Sequence, residues 1–178
     1  KIAVGMGANV TVTDVNPSKL IDIEKELCGK VSTVISNKFN LEKYIQRSDI
    51  VIGAVLVPSQ KTPVLITDEM VKSMKKGSVI IDVSIDEGGI VETIKEPTTI
   101  DSPVFEKYGV VHYAVPNMPS CVARTAAISL NNYTMPYILK LATKGFIAAV
   151  KSTPELYKGI NTFQGKLTNS DVAKALGR

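Results

Sequence analysis

Three carboxylates and two glycines close one apolar stretch: SVIIDVS (78–84) runs into the segment Asp82-Val83-Ser84-Ile85-Asp86-Glu87-Gly88-Gly89. The carboxyl end of a buried strand is where open α/β sheets bind ligands. Partial burial there would let Asp86 hold and pass a proton. Gly88 and Gly89 permit close backbone approach or positive φ. The same spacing also suits an acidic turn with a glycine bend. A second acidic residue, Asp14, ends the β-branched run VTVTD (10–14). At the end of the second strand of a dinucleotide fold, an acidic residue accepts hydrogen bonds from both adenosine ribose hydroxyls. That placement favours NAD over NADP, because a 2′-phosphate would meet the carboxylate's charge and no Arg follows within the next few residues. The competing role is a turn aspartate that caps the helix after Pro17.

Other segments offer weaker chemistry. AVLVP (54–58) leaves an apolar strand for a loop at its carboxyl end, so its backbone could line a ribose, or its side chains could be plain core. Asn117, between Pro116 and Pro119, could present its amide across a cleft from a loop that the prolines stiffen, or simply make a turn. His112, the single histidine, lies inside the strand-like GVVHYAV (109–115), which favours a hydrogen-bonded structural ring over a catalytic one. Gly5 and Gly7 mimic the first glycines of a phosphate-binding G-x-G-x-x-G. That fingerprint follows a strand and opens a helix, whereas this pair ends a helix and leads into a strand. Gly7 therefore reads as a helix C-terminal glycine. Cys28 and Cys121 are far apart and outside any metal or redox pair, so reduced thiols are expected and no zinc site.

The elements that must position these residues alternate. Strands are expected at 10–14, 31–36, 49–57, 78–84 and 109–115, and helices at 19–27, 41–47 and 67–74. The run 50–57 is apolar almost throughout, as for a strand covered on both faces, so the expected fold is α/β with a doubly wound parallel sheet. Beyond Pro119 the texture becomes one long helical stretch, 125–143. The tail is expected to hold short helical pieces and a last helix capped by Thr168. This gives a Rossmann-like dinucleotide-binding domain over 1–123, followed by a helical C-terminal segment, 124–178, that belongs to a substrate domain. KIAVGMG (1–7) reads as the end of a helix whose start is absent, so a truncated chain lacking its first strand and phosphate-binding turn is expected.

At 178 residues and 44% hydrophobic, the chain can bury one sizeable core and part of a second. Its 21 basic residues are dispersed among 17 acidic ones for a net charge of +4, which argues against nucleic-acid binding. No apolar stretch reaches the about 18 residues of a membrane span and no signal sequence opens the chain, so a cytoplasmic protein is expected.

Four segments carry a family resemblance: SDIVIGAVLVP (48–58), MVKSMKKGSVIIDVSIDEGG (70–89), HYAVPNMP (112–119) and KGINTFQGKLT (158–168). Through them the chain resembles the carboxy-terminal half of bacterial alanine dehydrogenases over essentially its whole length. The resemblance implies an oxidoreductase of L-alanine catabolism, converting L-alanine, NAD and water to pyruvate, ammonia and NADH through an imino intermediate. It implies NAD contacts at Asp14, Lys19, Ser36, Val55, Leu56, Val83, Asn117 and Met118, with Asp86 beside the nicotinamide and implicated in catalysis. It also implies a homo-oligomer, a hexamer in the family, and an amino-terminal half that supplies the substrate-binding Arg and Lys and the catalytic His. His112 does not inherit that role, and this stretch alone is expected to be inactive. Ser84 and Glu87 depart from the family's A-I-D-Q-G-G, and Pro116 stands where Ala is common. The alternative is the NAD-binding component of a transhydrogenase, or a nucleotide-binding partner subunit without turnover. That neighbouring family usually has A-E-A-G-G at 85–89, so Asp86 speaks for the dehydrogenase.

Overall fold

The computed structural model describes residues 1–57 and 62–177; Pro58, at the end of the expected 54–58 loop, and Arg178, at the end of the tail, lie outside the described residues. The chain opens with helix α1 (Ile2–Gly5) and strand β1 (Thr11–Asp14). Gly7 ends α1 as expected. Its φ is +85°, its N–H donates to the Val4 carbonyl and that of Ala8 to the Ala3 carbonyl, both at 3.0 Å, the paired bonds of a Schellman stop. Helix α2 (Pro17–Glu26) starts at Asn16, whose side chain accepts from the Ser18 N–H, with Pro17 where no helical donor is needed. Strand β2 (Ser32–Ile35) returns parallel to β1, with Asp14 opposite Ile35.

A second unit of the same kind follows. Helix α3 (Lys38–Ile45) is capped by Asn37, strand β3 (Ile50–Gly53) follows it, and helix α4 (Asp68–Lys72) is capped by Thr67. Strands β4 (Val79–Asp82), β5 (Val104–Lys107) and β6 (Val110–Tyr113) complete a four-stranded sheet in the order β3-β4-β6-β5. Strands β3, β4 and β6 are parallel. The architecture is α/β with parallel sheets, with two departures from the expected single parallel sheet. The pair β1-β2 forms a separate sheet, and β5 runs antiparallel to β6. The turn between β5 and β6 needs only Tyr108 and Gly109, with φ of +59° and +79°, the positive angles that a two-residue hairpin turn demands. The Tyr108 hydroxyl donates to both Asp68 carboxyl oxygens at 3.1 Å, and Lys72 and Lys107 pair with that carboxyl at 2.8 and 3.3 Å. Lys72 above all, with Lys107 and Tyr108, holds Asp68 below the usual carboxylate range.

One face of the four-stranded sheet carries the core. Ile80 and Val110 pack there with Ile45 of α3, Met70 and Val71 of α4, and Met74, Ile66, Ile90 and Val91 from the connections. Among the described residues the other face is left open. Strand β3 was expected to be covered on both sides, but Ile50 and Ile52 are each 61% exposed. Their in-register neighbours Val79, Ile81, Val111 and Tyr113 are only half-buried. The physical reason is the two-residue period of a strand: α3 and α4 cover only the face of Val51 and Gly53.

Past β6 a 3₁₀ turn (Met118–Val122) leads into α5 (Ala123–Lys151), longer than the expected 125–143 and broken at Gly145, whose φ of 72° and ψ of 163° are not helical. Most of α5 is exposed, including Ile128, Leu130, Tyr133, Ile138 and Leu139. Helix α6 (Pro154–Lys158) packs back on it, and strands β7 (Thr162–Phe163) and β8 (Lys166–Leu167) make a small hairpin, so the tail is not purely helical. Helix α7 (Ser170–Ala175) is capped by Asn169, which accepts from the N–H groups of Asp171 and Val172. Thr168, the expected cap, instead donates its hydroxyl to the Ile160 carbonyl.

His112 is fully buried and structural. Its Nδ1 lies 2.9 Å from the Val110 carbonyl, which can only accept, so Nδ1 carries the proton. Nε2 then accepts from the Thr93 hydroxyl at 2.8 Å, and Phe105 stacks on the ring at 4.8 Å. Burial first, and the Lys107 charge second, push its pKa below the ordinary 6.5, against the opposing pull of the Val110 carbonyl. The unfolded chain therefore takes up a proton that the folded one refuses. The neutral ring costs no stability above pH 6.5, and stability is lost as pH falls below 6.5 toward the folded-state value. We predict that the melting temperature falls more between pH 7.5 and 5.5 for the unmodified protein than for His112→Gln. Equal slopes in the two proteins would contradict this.

Candidate functional site

The strand ends gather the candidate residues into two groups. In the first, Asp14 closes β1 and its backbone carbonyl accepts from the Ser36 N–H at 2.9 Å, which sets the ends of β1 and β2 side by side. The Asp14 carboxyl is half-buried. One oxygen accepts from the Asn16 N–H at 2.8 Å, and the other lies 3.8 Å from the exposed Lys19 ammonium. Asn16, not Asp14, caps α2, so the second Asp14 oxygen keeps capacity for an outside donor. Asp14, Lys19 and Ser36 thus form one cluster.

The second group lies at the carboxyl ends of β3, β4 and β6. Strand β4 ends at Asp82, which is fully buried. One of its oxygens accepts from the Ser84 N–H at 3.0 Å and the other from the Ile90 N–H at 2.8 Å. The chain between curls into a 3₁₀ turn (Val83–Glu87) and leaves through Gly88 and Gly89, with φ of 105° and 73°. A side chain at Gly89 would place its Cβ 3.0 Å from the Asp82 carboxyl, so close approach and positive φ both require glycine there. Asp86 sits on the outer side of this turn. It is exposed, which corrects the expected partial burial: Asp82 takes the inward position and the turn throws Asp86 out. Both Asp86 oxygens accept from the Asn117 N–H, at 3.0 and 3.2 Å. Asn117 holds a left-handed conformation, φ 51° and ψ 48°, and its side chain makes no capping bond to the turn that follows.

Val55 joins the same group. Its N–H donates to the Ser84 hydroxyl at 2.7 Å and its carbonyl accepts from that hydroxyl at 2.9 Å. Leu56 and Val83, 67% and 45% exposed, add apolar surface beside it. Val55, Leu56, Val83, Asp86, Asn117 and Met118 are therefore the exits of three neighbouring parallel strands. Among the described residues no strand pairing or hydrogen bond joins them to the Asp14 cluster. The chemistry available is a carboxyl oxygen with no hydrogen bond among the described residues, beside the Lys19 ammonium, in one group, and in the other an exposed carboxylate held by a backbone amide.

Two residues escaped the sequence reading as organisers. Asp82 was one of three acidic candidates, although the inward phase of Ile80 predicts an inward Asp82 by the strand's own period. Ser84 had no such signal, because its partner lies 29 residues away. We predict that Asp82→Asn lowers unfolding stability by about 2 kcal/mol, since one amide N–H would then face a buried backbone N–H. Urea denaturation checks this, and an unchanged midpoint would count against the role given to Asp82.

With that geometry in place, the comparisons are specific. The family described as alanine dehydrogenase/PNT, C-terminal domain, matches residues 1–170. Alanine dehydrogenase 2 of Staphylococcus aureus (strain USA300) is 53% identical over 175 residues, covering 98% of this chain and 47% of that protein. A solved L-alanine dehydrogenase superposes with a TM-score of 0.85 at 41% identity, over 99% of this chain and 48% of that one. A transhydrogenase from Sinorhizobium meliloti shares the fold at a TM-score of 0.73 and 24% identity, over 93% of this chain and 47% of that one. The chain spans about half the length of the curated relatives it matches, 47%. A parallel-stranded α/β unit with its polar residues gathered at the strand exits, matched over residues 1–170, belongs to the alanine dehydrogenase/PNT C-terminal domain family.

Proposed function

We propose that this chain is the carboxy-terminal part of an NAD-dependent L-alanine dehydrogenase, binding the dinucleotide across its strand exits. The observation that carries the reading is the 53% identity to alanine dehydrogenase 2 over 175 residues. The site suits the cofactor. Asp14 keeps a carboxyl oxygen for a ribose hydroxyl, and its negative charge disfavours a 2′-phosphate, hence NAD. Leu56 and Val83 offer exposed apolar surface for a flat ring at the exits of β3 and β4, and Asn117 stands at the exit of the neighbouring β6.

Bound NAD would accept the hydride from the substrate Cα. The chain's own contribution is orientation and proton handling. Asp86, held at the strand exit by the Asn117 N–H, would take or return the proton at the substrate nitrogen or at the attacking water. Lys19 would counter the Asp14 charge near the adenosine, and Ser36, Val55 and Met118 would line the cofactor. Residues 124–178, mostly the exposed α5 and its partners, would belong to a substrate domain completed by the rest of the enzyme, which would act in the cytoplasm as a homo-oligomer.

The direct test is L-alanine-dependent NAD reduction by the full-length protein. NADH binding without turnover would instead favour a nucleotide-binding subunit of the transhydrogenase kind. Residues 1–178 alone are expected to show no steady turnover, and activity from a verified pure preparation would refute that.

The two carboxylates should separate kinetically. In the full-length protein Asp86→Asn is expected to lower kcat by about 10²-fold or more, with NAD affinity changed little, because the amide keeps the shape and loses the proton acceptor. Asp14→Ala is expected to weaken NAD binding and leave kcat at saturation nearly unchanged, because the adenosine ribose contact is the same in ground and transition states. NAD dissociation constants and turnover numbers for both variants decide it. Small and equal effects of Asp86→Asn on the two quantities would reduce that residue to a turn aspartate.

A further inference from the structure

We infer that Ser84 is a positioning residue that laces the exit of β3 to the turn bearing Asp86, holding the cofactor-lining loop and the proton-handling carboxylate in one frame. The inference rests on the dinucleotide reading above.

The need for such a lace follows from the ladder. Pairing between β3 and β4 ends at Gly53 opposite Asp82. Beyond that point β4 has curled into its 3₁₀ turn, and its backbone groups bond within the turn: Gly88 N–H to the Ile85 carbonyl, and Gly89 N–H to the Ser84 carbonyl. The chain leaving β3, running on past Gly53 to Val55, thereby loses its backbone partner, and a half-buried N–H and carbonyl left without one are costly. A single hydroxyl satisfies both, since Ser84 Oγ accepts from the Val55 N–H and donates to the Val55 carbonyl. It takes the place of the missing ladder rung.

Ser84 is itself fixed on three sides. Its N–H donates to Asp82, its carbonyl accepts from Gly89, and its side chain holds Val55, all at a residue 5% exposed. Asp86 follows two residues later and is tied to Asn117. One covalent turn therefore links the exits of β3, β4 and β6. Removing the hydroxyl frees the β3 exit, with Val55 and Leu56, and leaves the Asp86–Asn117 contact in place. The consequence falls on cofactor affinity more than on the chemical step.

The test is Ser84→Ala in the full-length protein, reading the NADH dissociation constant, the KM for NAD against kcat with L-alanine, and amide hydrogen exchange at Val55. Exchange at Val55 is expected to speed about fivefold or more, from loss of a hydrogen bond worth about 1 kcal/mol net. The NADH dissociation constant and the NAD KM should rise about fivefold, the effect one net hydrogen bond carries, while kcat falls less than about twofold. Ser84→Thr, which keeps the hydroxyl, should restore affinity. If Ser84→Ala does not fold, Ser84→Cys, similar in volume with a weaker donor, is read in the same way. A merely stabilising hydroxyl would shrink the folded fraction and leave the affinity of folded molecules as before; that result, or unchanged Val55 exchange, overturns the proposal. Failure of the unmodified protein to bind NADH overturns the dinucleotide reading and this inference with it. Normal NADH binding by both proteins overturns the inference alone.

Discussion

A buried carboxyl group at the end of β4 governs the geometry of everything around it. Asp82 draws two backbone N–H groups, eight residues apart at most from its own position, onto its two oxygens, and so closes the chain from Ser84 to Ile90 into a loop with a fixed mouth. The demand for space around that loop selects its neighbours. Gly53 faces it across the ladder, where a Cβ would lie 2.5 Å from the Ile90 side chain, and Gly89 passes under it with no room for one. Ile90, once held, accepts from the N–H groups of Leu65 and Ile66, and Thr62 reaches the carbonyls of Glu87 and Gly89. The returning chain before α4 is thus secured to the same loop.

This arrangement divides labour among acidic residues that composition alone treats as equals. Asp82 is fully buried, with each oxygen bonded to a backbone N–H, so no ligand reaches it. Asp86, on the same turn, is exposed and held by one N–H that serves both of its oxygens, so it keeps acceptor capacity. The Asp14 carboxyl lies between these extremes, with one oxygen committed to a turn. Burial and hydrogen-bond saturation, read together, separate a structural carboxyl from one with capacity to spare.

Local patterns in the sequence were enough for the alternation of strand and helix, the stop at Gly7 and the structural histidine, because each rests on neighbours within a few residues. Strand β5 was missed because VFEK mixes charge with apolar residues and follows Pro103, and only its pairing with β6 makes it a strand. The Asn169 cap was missed because Thr168, Asn169 and Ser170 are all cap-forming types, and the hydrogen-bond geometry chooses among them. The outward position of Asp86 and the Ser84 lace depend on a 3₁₀ turn and on contact across 29 residues, and neither leaves a periodic trace. The exposed face of β3 shows the opposite error. An apolar run reports that a strand can be covered on both sides, not that this chain supplies both covers.

The β5-β6 hairpin has a consequence for the order of folding. Its strands meet across a two-residue turn, whereas the parallel rung from Val79 to Val111 must wait for the long crossover to close. Tyr108 at the hairpin tip bonds Asp68 near the start of α4, so the hairpin can recruit that helix before the parallel ladder exists. Strand β6, held by the antiparallel edge strand β5, would then serve as the template on which β4, and after it β3, register. In pulse-labelled refolding, amides of the hairpin would gain protection ahead of those of β3, and the reverse order would rule this route out.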